Sequence, residues 1–178
     1  MNDFLPEDYK APNMSDNYMK FQDGENKFRI LSKPIIGWED WKDNKPVRYG
    51  FKDKPAKSND PNKPLKHFWA FIVWNYNEEK IQILQITQAS IRNNIECFVK
   101  DKDFGSPYYY DLKVYRKGEG MNTEYTVMPL GKLPVSAMVK HAFEEKPCNL
   151  DALMVNADPF VITNGIFTQG IFEEQKAS

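Results

Sequence analysis

The chain has 178 residues, 24 Lys and Arg against 25 Asp and Glu, and four tryptophans among its 25 aromatic side chains. That length builds the core of one domain with tails. Two cysteines, Cys97 and Cys148, are too few and too far apart for a zinc motif and read as free buried thiols, and no stretch approaches the ~20 apolar residues of a membrane span.

The charge is unevenly spread. Residues 1–25 carry net −4 and residues 135–178 net −3, leaving +6 on residues 26–134, of which +5 falls in 42–66. A basic centre with acidic flanks suits a polyanion partner. An ordinary soluble surface gives the same totals. The acidic N-terminus lacks the basic and apolar parts of a signal peptide, which points to an intracellular protein.

Residues 1–20, polar with Pro6 and Pro12, read as an N-terminal arm. After the turn signal Asp23-Gly24-Glu25-Asn26, residues 27–32 form a first strand, with a bend or continuation through Ile35-Ile36 toward Trp38. Residues 37–65 read as a long basic loop with four prolines, and 45–51 as a short strand inside it. The second strand, Lys66 to Tyr76, is rich in aromatics on both faces. Phe68, Ile72 and Trp74 are placed inside the fold and Trp69 and Phe71 toward a ligand. The alternative for Trp69 and Phe71 is a second apolar layer, such as the 135–145 helix. Lys80 to Thr87 is a third strand. Ile91, Ile95, Phe98 and Val99 then share one helix face, capped by Ser90 or Thr87 and stopped at 103–107. Residues 108–117 and 123–128 are the fourth and fifth strands, closed by Pro129 and Pro134. A short helix over 135–145 buries Val135, Met138, Val139 and Phe143, a helical turn follows at 149–154, and 155–178 is a tail.

Five mostly antiparallel strands with one helix between the third and fourth is the layout of an OB-fold barrel, here mainly β over residues 21–134. The C-terminal helical segment spans 135–154 and both termini are flexible. Such a barrel binds oligonucleotides on its second and third strands and on the loops between strands 1–2 and 4–5. Those places hold the basic and aromatic residues. A single strand needs cations for phosphates and aromatic faces for bases, each stack being worth ~1–3 kcal/mol. The candidate DNA-binding set is Arg29, Trp38, Trp41, Arg48, Tyr49, Phe51, Lys66, Trp69, Phe71, Lys113, Tyr115 and Lys117. Trp38 and Trp41 serve equally well as loop anchors. No nucleotide-binding, hydrolase or metal motif is present, and neither catalysis, metal nor cofactor is expected.

Asp23-Gly-Glu-Asn-Lys-Phe-Arg-Ile-Leu-Ser32, Pro34-Ile-Ile-Gly-Trp38, Lys66-His-Phe-Trp-Ala-Phe71 with Trp74-Asn-Tyr76, and Tyr110-Asp-Leu-Lys113 with Lys117-Gly-Glu-Gly120 resemble phage-type single-stranded DNA-binding proteins over about residues 18–130. The resemblance implies an OB-fold that coats and protects single-stranded DNA in phage replication, recombination and repair, in the host cytoplasm. It also implies that the acidic C-terminal region near Asp158-Pro159-Phe160, similar to the aromatic-tipped tails of such proteins, recruits replication or recombination proteins, although eighteen residues follow it. The competing expectations are an OB-like module for protein interaction or virion assembly, and an RNA-binding or strand-annealing protein.

Overall fold

The computed structural model describes residues 14–172, with Phe4 and Tyr9 before them. Seven strands and two helices make up most of it: β1 (Gly24–Ile30), β2 (Ile35–Lys42), β3 (Lys45–Gly50), β4 (Lys66–Asn75), β5 (Lys80–Ile86), α1 (Ala89–Lys100), β6 (Tyr110–Lys117), β7 (Glu124–Lys132) and α2 (Ala137–Glu145). The strands form one sheet in the order β3-β2-β4-β1-β6-β7, with β5 on the other edge of β4. Every strand pairing is antiparallel. The architecture is mainly β, as expected. The count differs, because the long 37–65 connection folds into the β2–β3 hairpin. Its Asp43-Asn44 turn puts both residues at positive φ (52° and 62°), the geometry of a type I′ turn.

β1 and β2 act as one bent strand along β4. β1 pairs with the end of β4 (Phe28↔Asn75 to Ile30↔Val73), and β2 with its start (Ile35↔Ala70 to Glu39↔Lys66). Between them, where Pro34 has no N–H to offer, the Ser32 hydroxyl accepts from Ile72 N at 2.9 Å and fills the broken rung. β5 and β7 do not pair, so the sheet stays open where a barrel would close. The segment before β1 lies at that seam. Tyr18 bridges Ile83 of β5, Met19 N donates to Ile83 O at 2.8 Å, and the Phe21 ring lies 5.9 Å from Tyr125 of β7. The last residues of the expected N-terminal arm are thus tied down; the rest of it, apart from the described positions, lies outside the described residues. Pro129 does not end β7, which runs on to Lys132: β7 has one partner only, and an edge strand tolerates a missing donor.

β4 has apolar residues on both faces, and both are covered. Phe71 and Val73 face an inner core with Phe28, Ile30, Leu84, Ile86, Tyr110, Leu112 and Val114, closed by Ile91 and Ile95 of α1. Phe68, Ala70, Ile72 and Trp74 face an outer core with Ile81 and Ile83, covered by Val139 and Phe143 of α2 and by Leu150 and Leu153 of a 3-10 helix, Leu150–Val155. Both faces of β4 are therefore core: Phe68, Ile72 and Trp74 are buried as expected, and Phe71 against expectation. Its Phe68–Trp74 set packs under the C-terminal layer, and its Phe71 set packs inside.

Details of the helices also differ. α1 starts from Gln88 with no side-chain cap, and Val99 is exposed. α2 is capped by Ser136, whose hydroxyl accepts from Val139 N, and Met138 points outward. The described part of the tail folds back: Thr168 N donates to Cys148 O, Ile171 N to Leu31 O, and Phe172 meets Phe143 edge-on. Residues 173–178 lie outside the described residues.

One buried ion pair ties β1 to β6. The Arg29 guanidinium, 1% exposed, reaches Asp111 at 3.2 Å and donates to the carbonyls of Tyr108 (2.8 Å) and Leu133 (2.6 Å). The Tyr76 hydroxyl donates to the same carboxylate, and burial together with Asp111 pushes its pKa up. Removing one partner of a buried pair costs ~3–5 kcal/mol. Asp111→Ala is therefore expected to lower the unfolding free energy by about that amount in a urea titration, and Lys113→Ala, on the same face but open to solvent, to leave it nearly unchanged. The thiols provide a second check. Cys97 is exposed, contrary to expectation, whereas Cys148 is buried and its pKa is pushed up to about 12. Since the thiolate is the nucleophile, a thiol reagent should titrate one cysteine in the folded protein at mildly alkaline pH and both in denaturant. Because the raised pKa belongs to the folded state, Cys148 stabilises the fold fully below the ordinary thiol range, and that contribution falls as pH rises toward about 12.

Candidate nucleic-acid interface

The inner face of β4 is dry at Phe71 and Val73 and opens to solvent at Trp69 and His67. Register carries that face outward across the hairpin. Trp69 lies opposite Ile36, and His67 opposite Trp38, which in turn lies opposite Tyr49 of β3. Residues paired across antiparallel strands share a face. Phe51, just past β3, turns back over it: its ring stacks on Trp38 at 6.3 Å and 12°, and lies 5.4 Å from His67. The Trp38 indole N–H donates to Phe51 O at 3.1 Å, and His67 Nδ1 lies 2.9 Å from Gly37 O. Lys54 holds its ammonium 4.2 Å from the Trp38 ring. Trp38, Tyr49, His67 and Trp69 are half-buried, and Phe51 is 57% exposed. The result is a row of rings on strands, with one side available and a cation at its end.

Where the row meets the core, Trp69, Ile36 and Tyr108 border an apolar cavity of about 290 Å³ with Phe71 in its wall and Val99 of α1 on its far side. Phe71 itself is 2% exposed. Its ring packs within the inner core and does not reach solvent as a stacking platform would, so the expectation that Phe71 faces a ligand is corrected. Once both faces of β4 are covered, only the strand's first residues remain accessible.

The remaining candidates do not join this row. Trp41 is three residues beyond Trp38 on the same strand, and so on the opposite face, with Lys66. There its ring faces Lys63 at 5.5 Å. Arg48, its side chain 12% exposed, is turned inward to Glu39 at 3.5 Å, to Gln85 at 3.1 Å and to Leu153 O at 3.4 Å. Arg29 is wholly enclosed. Neither arginine presents its guanidinium to a phosphate, and both expectations are corrected for one reason: a buried guanidinium requires a carboxylate, and Asp111 and Glu39 supply it. Lys113 and Tyr115 lie on the outer face of β6 around Glu25, with Lys113 Nζ at 2.7 Å and the Tyr115 hydroxyl donating at 3.1 Å. Those contacts hold the Glu25 carboxyl below its usual pKa and the Lys113 ammonium above its own. Lys117 is exposed farther along. Lys54 and His67 were missed; each lies beside an aromatic in the sequence-derived set, but pairing a loop lysine with one ring needs the register. Among the described residues, no three His, Cys, Asp or Glu side chains come together in a way that could hold a metal ion, and no helix is long and apolar enough to cross a membrane.

The expected recruiting tip is folded in. Pro159 O accepts from Asn149 N at 2.8 Å, Phe160 packs against the outer core, and Lys146 lies 4.8 Å from its ring.

No family model matches the chain, and no solved structure matches it. Its sequence is similar to a probable ssDNA-binding protein of Escherichia phage T5, with 23% identity over 145 residues, 65% of this chain. The aligned part spans 56% of that relative, little more than half its length. The resemblance to phage-type single-stranded DNA-binding proteins, first carried by short phrases around Phe28, Trp38 and Trp69, is thus matched by a curated relative of that description.

Proposed function

We propose that the protein binds single-stranded DNA largely without regard to sequence, coating and protecting it during phage replication and recombination, with no catalytic step of its own. The observation that carries this is the row Trp69–His67–Trp38–Phe51 on one face of β4, β2 and the loop after β3, ended by the ammonium of Lys54. Every base has a π-face, so a row of rings binds bases without reading their edges, and lysines neutralise the phosphates between them. Arginines locked to Glu39 and Asp111 hold the platform rigid and leave the phosphates to lysines. The architecture supports an OB-like reading: β1–β2 as a bent first strand, β4 and β5 as the second and third, α1, then β6 and β7. The hairpin and loop that carry Trp38 and Phe51 then occupy the connection between the first two strands, a habitual binding place of that fold. The description of the phage T5 relative points the same way.

Tryptophan fluorescence should quench on titration with oligothymidylate and recover with added salt. Phe51→Ala should weaken binding by ~1–3 kcal/mol with an unchanged melting temperature, whereas Phe71→Ala should cost ~3–5 kcal/mol of stability. Lys54→Gln should lessen the slope of log K against log salt by ~0.7. Absence of quenching at low salt and micromolar protein would sink the proposal. Equal weakening by Lys113→Gln and Lys54→Gln would move the site to the outer face of β6.

A further inference from the structure

We propose, building on single-strand binding by the Trp38 face, that the β2–β3 hairpin carries a second nucleotide-binding cleft on its opposite face. A bound strand would then turn around the hairpin and be held on both sides. Trp41 and the loop that returns to β4 form this cleft. A cavity of about 360 Å³ is lined by Trp41, Asn62, Lys63, Pro64 and Lys66, a size in the range of small-ligand sites. The chemistry fits one nucleotide unit of a single strand. The Trp41 ring offers a stacking face, and its indole N–H has no hydrogen-bond partner among the described residues. Lys63 and Lys66 are exposed, and neither forms an ion pair among the described residues. Asn62 contributes an amide able to meet a base edge. No carboxylate lines this cleft. The neighbouring cavity, across the Trp41–Lys63 pair, sets Asp43 and Asp60 against Lys42 and Lys63 and so lacks the net positive charge of this cleft.

The cleft is also held in place, as a site requires. Asp40, buried at the strand, accepts from Asn59 N at 3.1 Å and Asn59 Nδ2 at 2.7 Å and anchors the start of the loop. Lys63 N donates to Asp60 O at 3.0 Å, and Asn62 N to Asp60 Oδ1 at 2.9 Å. The two faces are separated by a single layer of strand, and β3 at the edge of the sheet has no further strand partner among the described residues. A strand bound to both faces would pass around that edge between Phe51 and Trp41.

Stoichiometry and affinity test this with oligothymidylates of about 4 and about 16 nucleotides, the two ends of the site-size range of such domains. The short oligomer should bind two per chain in wild type and one per chain in Trp41→Ala or in Phe51→Ala. The long oligomer should bind one per chain and lose about tenfold in affinity with either substitution. Lys63→Gln/Lys66→Gln should reduce the salt dependence of the long oligomer and of one of the two short-oligomer sites, leaving the other unchanged. If Trp41→Ala keeps the wild-type stoichiometry and long-oligomer affinity while Phe51→Ala weakens binding, the second cleft is overturned and the first face stands. If wild type binds neither oligomer, both fall together. Trp41→Phe, which keeps a ring, should retain two short oligomers and guards against a folding defect.

Discussion

The structure depends on one strand being dry on both faces. β4 alternates Phe68, Ala70, Ile72 and Trp74 with Trp69, Phe71 and Val73, and a strand of that composition is stable only between two layers. α1 with β1 and β6 supplies the inner layer, and α2 with the Leu150–Val155 segment the outer one. A five-stranded sheet with a single helix covers only one of those faces. That is why the segment after β7 folds back onto the sheet and reaches Leu31 through Ile171. Phe160 is drawn into the same layer instead of extending from it.

Covering both faces sets the electrostatics of the surface. Charged residues at the edges of the two cores must be paired, because an isolated buried charge costs far more than a hydrogen-bonded pair. Arg29 takes Asp111 and Arg48 takes Glu39, and each also satisfies backbone carbonyls nearby. The cations left exposed include Lys54 and Lys63 on the loop and Lys66 at the start of β4. A flexible ammonium on a loop follows a phosphate more readily than a guanidinium clamped between strands.

The hairpin converts the dry strand into a wet platform. β4 alone would expose little more than Trp69 and His67, but pairing with β2 and β3 extends the same pleated face by two strands beyond the core. Gly37 permits the close packing this needs: a Cβ there would meet Tyr49 O at 2.2 Å and lie 3.2 Å from the Phe68 ring. Rings placed on strands lose little entropy when a base stacks on them, since the register already fixes their spacing.

The sequence by itself determined most of the elements, though not the β2–β3 hairpin, and the residue types of the candidate site. Alternation located β4, the three- and four-residue spacing of Ile91, Ile95 and Phe98 located α1, and the crowding of aromatics and lysines into 38–76 marked that stretch as the place of interest. It also recognised Phe68, Ile72 and Trp74 as core residues. Only the tertiary structure decided which face of β4 looked inward, that Phe71 is core while Trp69 stays accessible, that Trp38 and Trp41 serve opposite faces, and that Arg29 and Arg48 are already partnered. Local sequence records the period of a strand and the type of each side chain, whereas the partners that bury a face or a guanidinium are set by tertiary pairing: Asp111 lies 82 positions from Arg29, Glu39 meets Arg48 across the hairpin, and Leu153, whose carbonyl Arg48 also reaches, lies 105 positions from it.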